Sequence, residues 1–269
     1  MRTSLMSGAG NRFVMVDGFA EGPIADPAAL ARASCSGGRA DGLVLLRPST
    51  GRADLAMEIY NADGSRPEAC GNGLRCAAKL AVERGRVGSD RFSIETDSGV
   101  RAVRVVREGG RVTAARVQMG RARILSADEP IDLGFGRVVA TIVDVGNPHC
   151  VLLVDDERSA PVAGWGRALE RHARFPWRTN VEFLAHCAGR LRLRVWERGV
   201  GETLACGSGA CAAAVVAREK GLSEWPVSLE LPGGVLAVDA DSSGILELSS
   251  PVEEIPSVED ASAPARGAR

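Results

Sequence analysis

Two cysteines, Cys70 and Cys206, each stand directly before a Gly-x-Gly, in Ala69-Cys70-Gly71-Asn72-Gly73 and Ala205-Cys206-Gly207-Ser208-Gly209. An alanine-rich run follows each, so each cysteine marks a helix start. The first N–H groups of a helix lack intrahelical partners, and the helix dipole adds partial positive charge there. Both features attract a carboxylate and favour a thiolate. A cysteine titrates near ~8.5, and a helix N-terminus is expected to draw it toward neutrality. Thiols tuned in this way can take and return protons near the working pH. A pair of them suits inversion at a Cα carbon, where a base removes the proton and an acid on the opposite face returns one. The helix N–H groups would hold the carboxylate and the charge that develops on it.

Cys35, Cys150 and Cys187 read as small buried hydrophobes, and Cys76 and Cys211, inside the two helices, as packing groups. The Cys70/Cys76 and Cys206/Cys211 spacings lack the C-x2-C of a zinc site. Pyridoxal phosphate needs a Schiff-base lysine, and the two lysines, Lys79 and Lys220, read as solvated helix-face residues. No metal and no cofactor is expected.

The elements that position the cysteines come from a chain written twice. When the sequence is slid along itself until Cys70 falls on Cys206, nine of the 17 positions from Ala69 to Gly85 are identical to their counterparts from Ala205 to Gly221. After a one-residue deletion, Ser93, Glu95, Gly99, Val100, Ala102 and Val103 meet Ser228, Glu230, Gly234, Val235, Ala237 and Val238, and upstream Gly10-Asn11 meets Gly146-Asn147. Two similar halves follow: residues 1–122 carrying Cys70, residues 123–255 carrying Cys206, and a loose Pro- and Ser-containing tail at 256–269. A pseudo-two-fold arrangement would let the two Cys-Gly turns face each other. Runs rich in β-branched residues predict strands at 13–16, 43–46, 56–60, 92–96 and 100–106, repeated at 141–145, 151–154, 191–196, 227–231 and 235–239. One well-patterned helix per half is predicted, at 74–83 and 210–220, each closing at a glycine, with weaker helices at 27–33 and 164–172. The fold class is therefore α+β: two pseudo-symmetric lobes, each a mainly antiparallel sheet or barrel wrapped around a central helix.

Of the 269 residues, 45% are hydrophobic and the net charge is −1, so neither nucleic acid nor an acidic membrane surface is an expected partner. No signal peptide and no run of 18 apolar residues is visible, and the seven cysteines are scattered, which reads as a cytoplasmic protein with reduced thiols acting on a small molecule.

At these residues the sequence resembles the diaminopimelate epimerase family. Matching segments are Gly10-Asn11-Arg12-Phe13-Val14, Asn61-Ala62-Asp63-Gly64-Ser65, the Cys70 turn through Cys76, Gly146-Asn147-Pro148-His149-Cys150, Asn180-Val181-Glu182-Phe183, and the run from Trp196 to Thr203 into the Cys206 turn. The resemblance implies a cofactor-independent enzyme that interconverts LL- and meso-2,6-diaminoheptanedioate, a step toward lysine and peptidoglycan precursors, usually as a homodimer. By motif, Cys70 and Cys206 would be the acid/base pair. Gly71-Asn72 and Gly207-Ser208 would cap the reacting carboxylate, and Asn11, Asn61, Asn147, Asn180, Glu197 and Arg198 would line the substrate. His149 and Glu197 would adjust the thiols. Amides supply both donors and acceptors for a dicarboxylic diamine, and Arg198 can bind a carboxylate bidentately. Each asparagine could instead cap a turn, and His149 could be a satisfied structural histidine.

One segment departs from the family pattern. Where an Arg-x-x-Gly-Ile/Val-Gly-x-Asp stretch is usual, Cys35-Ser36-Gly37-Gly38-Arg39-Ala40-Asp41-Gly42 is two or three residues shorter. That loop leaves open a racemase for another amino acid, such as histidine. A non-catalytic ligand-binding relative and a thiol–disulfide switch are the rivals from other classes.

Overall fold

The computed structural model describes residues 1–67 and 71–256; Cys70 and most of the expected tail lie outside the described residues. The chain forms two compact units, one of residues 1–115 joined by the stretch that begins at Val252, the other of residues 116–251.

In the first unit, β1 (Thr3–Gly8), β2 (Asn11–Asp17), β3 (Gly42–Arg47), β4 (Leu55–Asn61), β5 (Arg91–Thr96), β6 (Gly99–Glu108) and the start of β7 (Arg111–Gly120) lie side by side in chain order. β1 and β2 are antiparallel, β2 and β3 parallel, β3 and β4 antiparallel, β4 and β5 parallel, and β5 and β6 antiparallel. Two small helices, α1 (Gly18–Glu21) and α2 (Pro27–Ser34), fill the link from β2 to β3. The long helix α3 (Gly71–Glu83) makes the crossover from β4 to β5 and packs on β1, β2, β3 and β6, with every residue from Asn72 to Val82 buried.

The second unit repeats this order. β8 (Arg123–Asp132) and β9 (Arg137–Asp144) lead into β10 (Pro148–Val154), then come α4 (Val162–Glu170), β11 (Asn180–Cys187), β12 (Arg190–Glu197) and β13 (Gly201–Thr203). The helix α5 (Gly207–Glu219) precedes β14 (Val227–Leu231), β15 (Gly234–Ala240) and β16 (Leu246–Ile255). The pairs β9–β10, β10–β11, β11–β12, β12–β14 and β14–β15 run antiparallel, parallel, antiparallel, parallel and antiparallel, as in the first unit. α5 packs on β9, β10, β11, β12, β14 and β15. Each unit is thus a mainly antiparallel sheet around one central helix, the architecture read from the duplicated sequence.

The two central helices end alike. Gly85 N–H bonds Val82 O and Arg86 N–H bonds Ala81 O; in α5, Gly221 N–H bonds Arg218 O and Leu222 N–H bonds Ala217 O. Both glycines sit at positive φ, where an added Cβ is strained. The strands not foreseen are β1, β7, β8, β11, β13 and β16, and they include the almost fully buried β11. β8, with Pro130 and the acidic Asp128, Glu129 and Asp132, occupies the expected junction together with β7. At the far end Val252–Ile255 pair antiparallel with β1, so the chain returns to its first unit. No helix among the described residues is long and apolar enough to cross a membrane.

Candidate active site

In the second unit Cys206 is the N-cap of α5: its backbone is extended and its Sγ accepts the Gly209 N–H at 3.4 Å, with Ser208 Oγ at 3.6 Å. A Cβ at 209 would lie 2.8 Å from Glu182 Oε1, so any side chain there would have to push that carboxylate aside. The thiol is buried, and burial, followed by the charges of Glu197 and Glu182, pushes it well above its ordinary range. The Gly209 N–H and the Ser208 hydroxyl pull the other way and lose. The expectation that the helix terminus would draw this thiol toward neutrality is corrected here: one aligned N–H does not offset desolvation beside two carboxylates.

Behind the helix start runs a chain of contacts. Asn147 Nδ2 donates to Ser208 Oγ at 3.4 Å, Asn147 Oδ1 lies 3.0 Å from His149 Nε2, and His149 Nδ1 lies 2.7 Å from Glu182 Oε1. His149 and Glu182 have no exposed surface. Glu197 accepts the Thr203 hydroxyl at 2.5 Å, and burial raises its carboxyl above the usual range. Asn180 Nδ2 donates to Pro148 O and its Oδ1 accepts the Arg198 N–H, both at 3.0 Å. It fixes the backbone segments that carry Asn147 and Arg198. Arg198 reaches the Trp177 carbonyl with Nη1 at 3.3 Å.

The first unit carries the matching half. Asn72, buried in the first turn of α3, donates Nδ2 to Asn11 Oδ1 at 2.7 Å. Asn11–Asn72 and Asn147–Ser208 are both pairs 61 residues apart, the same contact made twice. Arg75, buried one turn along, donates Nη2 to Asn72 Oδ1. The shortened 35–42 loop is anchored to this half. A short 3-10 turn at Ser36–Gly38 offers Gly38 O to Arg12 Nη2, and Asp41 Oδ2 accepts both Asn11 Nδ2 at 3.4 Å and Arg12 N–H at 2.8 Å. Asp41 O also accepts Ala62 N–H, which ties the loop to the turn where Asn61 Nδ2 donates to Ser65 Oγ.

Two other readings need correction. Lys79 is buried rather than solvated: Nζ bonds Glu83 Oε1 at 2.7 Å and Val112 O at 2.5 Å, because β7 covers that face of α3. Cys187 is half-buried, with Sγ donating to Asp155 O, rather than a core residue. Cys35, Cys150, Cys76 and Cys211 are buried as expected, and Phe13 and Trp196 are core. Among the described residues no three His, Cys, Asp or Glu side chains group as metal ligands. The residue that sequence reasoning passed over is Glu182. It lay inside a quoted motif, and its one signal was an acid in an otherwise apolar run.

The family model described as diaminopimelate epimerase matches residues 3–125 and 141–249. The chain belongs to the diaminopimelate epimerase family. Both half-sites fall within the matched segments. A diaminopimelate epimerase of Desulforudis audaxviator is 43% identical over 272 residues, covering 95% of this chain and 97% of that one. One of Moorella thermoacetica is 44% identical over 250 residues, covering 87% and 89%. Among solved structures, a predicted epimerase from Pseudomonas aeruginosa shares the fold, with a TM-score of 0.68 at 19% identity, covering 95% of this chain and 97% of that one.

Proposed function

We propose that this chain interconverts LL- and meso-2,6-diaminoheptanedioate by moving the α-proton between Cys70 and Cys206, with no cofactor. In one direction a thiolate takes the Cα proton: the C–H bond breaks, an S–H bond forms, and the electron pair passes into the carboxylate, now an enediolate. The other thiol returns a proton to the opposite face and is left as the thiolate. Run backward, the same steps use the two sulfurs in exchanged roles. The observation that carries this reading is the duplicated helix start, each with an amide from the preceding strand pair at its first turn. It stands in a chain 43% and 44% identical to two named epimerases over most of its length. The N–H groups at the α5 start, with Asn72 and Ser208, suit the carboxylate at the reacting carbon. Asn11, Asn61, Asn147, Asn180, Glu197 and Arg198 serve substrate binding, and His149 and Glu197 adjust the thiols. We further place the enzyme in the cytoplasm as a homodimer, on the strength of the family resemblance.

The test is incubation of metal-free, pyridoxal-free protein with the LL isomer in D2O. Deuterium at one α-carbon together with appearance of the meso isomer supports the proposal. No exchange there, with exchange into histidine instead, would transfer the chemistry to another substrate.

A further inference from the structure

The polar chain behind α5 has a direction, and that direction is set at its buried end. His149 faces an acceptor on each side: Glu182 Oε1 at Nδ1, 2.7 Å away, and Asn147 Oδ1 at Nε2, 3.0 Å away. Both contacts are hydrogen bonds only when a hydrogen stands between each pair. Glu182 is fully buried, and its other oxygen has no hydrogen-bond partner among the described residues. A buried carboxylate in that state needs a proton or a cation, and the shared hydrogen at His149 Nδ1 supplies it. Among the described residues, the other ionisable groups that interact with this pair are Asp144 at the end of β9, Cys150 on β10, Glu197 at the end of β12 and Cys206 at α5, none of them a cation. With Nε2 keeping its hydrogen for Asn147 Oδ1, the Asn147 amide turns its Nδ2 hydrogens toward Ser208 Oγ at 3.4 Å. Ser208 then accepts from Asn147, and its own hydroxyl hydrogen points to Cys206 Sγ at 3.6 Å.

We infer that Glu182 is a positioning residue: by holding a proton on His149 Nδ1 it orders the donors His149→Asn147→Ser208→Cys206, so that the Ser208 hydroxyl supports the Cys206 thiolate when it forms. The inference rests on the proposed acid/base role of Cys206. Among the described residues of the first unit, no His–Glu pair stands at the equivalent positions. In the repeat, Phe13 stands where His149 does, and Val44, the β3 partner of Met15, stands where Glu182 pairs with Val151.

The variant Glu182→Gln keeps size and reach but loses the proton-holding charge. His149 Nε2 then becomes an acceptor, the Asn147 amide reverses, and Ser208 donates to Asn147 instead of to Cys206. We expect kcat to fall about tenfold or more with KM changed by less than about threefold, and the alkaline-rising limb of the kcat–pH profile to move to higher pH. A second measurement does not depend on activity: ring 15N shifts of His149, assigned with Asn substitutions at His172 and His186. In the wild type the geometry calls for hydrogen on both ring nitrogens, and in Glu182→Gln on only one. A wild-type His149 with a single ring hydrogen overturns the inference, as does a folded Glu182→Gln enzyme with unchanged kcat and pH profile. A doubly protonated His149 in a protein that does not epimerise the LL substrate would support the donor order while overturning the functional reading alone.

Discussion

The two helix starts are one scaffold with different polar groups behind it. Around α3, the repeated amide contact is Asn11–Asn72, backed by the buried guanidinium of Arg75 and by the apolar Phe13 and Val44. Around α5, the same contact is Asn147–Ser208, backed by His149, Glu182 and Glu197. Asn61 and Glu197, equivalent positions of the repeat, end the corresponding strands as an amide in one unit and a carboxylate in the other. Duplication kept the backbone and the amide at each helix start, while the buried charges diverged. A two-thiol inversion begins with one base and one acid, and a pair of identical half-sites would not assign the roles. Burial and the carboxylates around α5 push the Cys206 thiol up, so in the proposed reaction Cys206 would start as the acid.

The comparison can be broken most sharply by removing either sulfur. Cys70→Ala and Cys206→Ala should each lower kcat by about 10²–10⁴-fold, since each deletes one of the two proton carriers. Thermal unfolding should show both variants folded, and full activity in either would end the two-base assignment. The next effect separates the halves. Asn147→Leu removes the donor to Ser208 and strands His149 Nε2 in a buried setting, whereas Asn11→Leu leaves Asn72 still held by Arg75. Losses in kcat of about 10–100-fold are expected for Asn147→Leu and smaller ones for Asn11→Leu, and equal losses would mean the polar chain behind α5 adds nothing.

The smallest effect is on stability. The carboxyl of Glu197 is raised in the folded state, so its favourable contribution is full below the unfolded value near ~4.3 and is lost as pH rises through the folded value. Glu197→Gln escapes that loss. Its melting temperature near neutral pH should exceed that of the wild type by about 1–3 °C, a gap that closes in acid. A gap that widens in acid would reverse the sign of the proposed burial effect.

Much of this was legible in the sequence because it is local or repeated. A Cys-Gly-x-Gly before an alanine-rich run marks a helix start, and the overlay of Cys70 on Cys206 made Asn11 the equivalent of Asn147 before any contact was known. What escaped depends on distant strands. Lys79 looks solvated until β7 brings Val112 O to its ammonium. Glu182 stands as one acid in the apolar run of β11, and β10 and β12 on either side with α5 across its face leave it no solvent. The Cys206 thiol was expected low from its own helix, and it is high because Glu182 and Glu197 arrive from β11 and β12. Polar strands such as β8 and β16 carry weak signals because register and neighbours, not composition, make them strands.

The unequal halves are tested most directly by the ionisation of Cys206, read in a Cys70→Ala background from the pH dependence of iodoacetamide alkylation of the peptide that holds it. We expect slow reaction near pH ~7 and a rate still climbing beyond the ordinary thiol value of ~8.5. A rate that has already levelled off near neutrality would show a resting thiolate at Cys206 and contradict the assignment of the carboxylate-backed half as the acid.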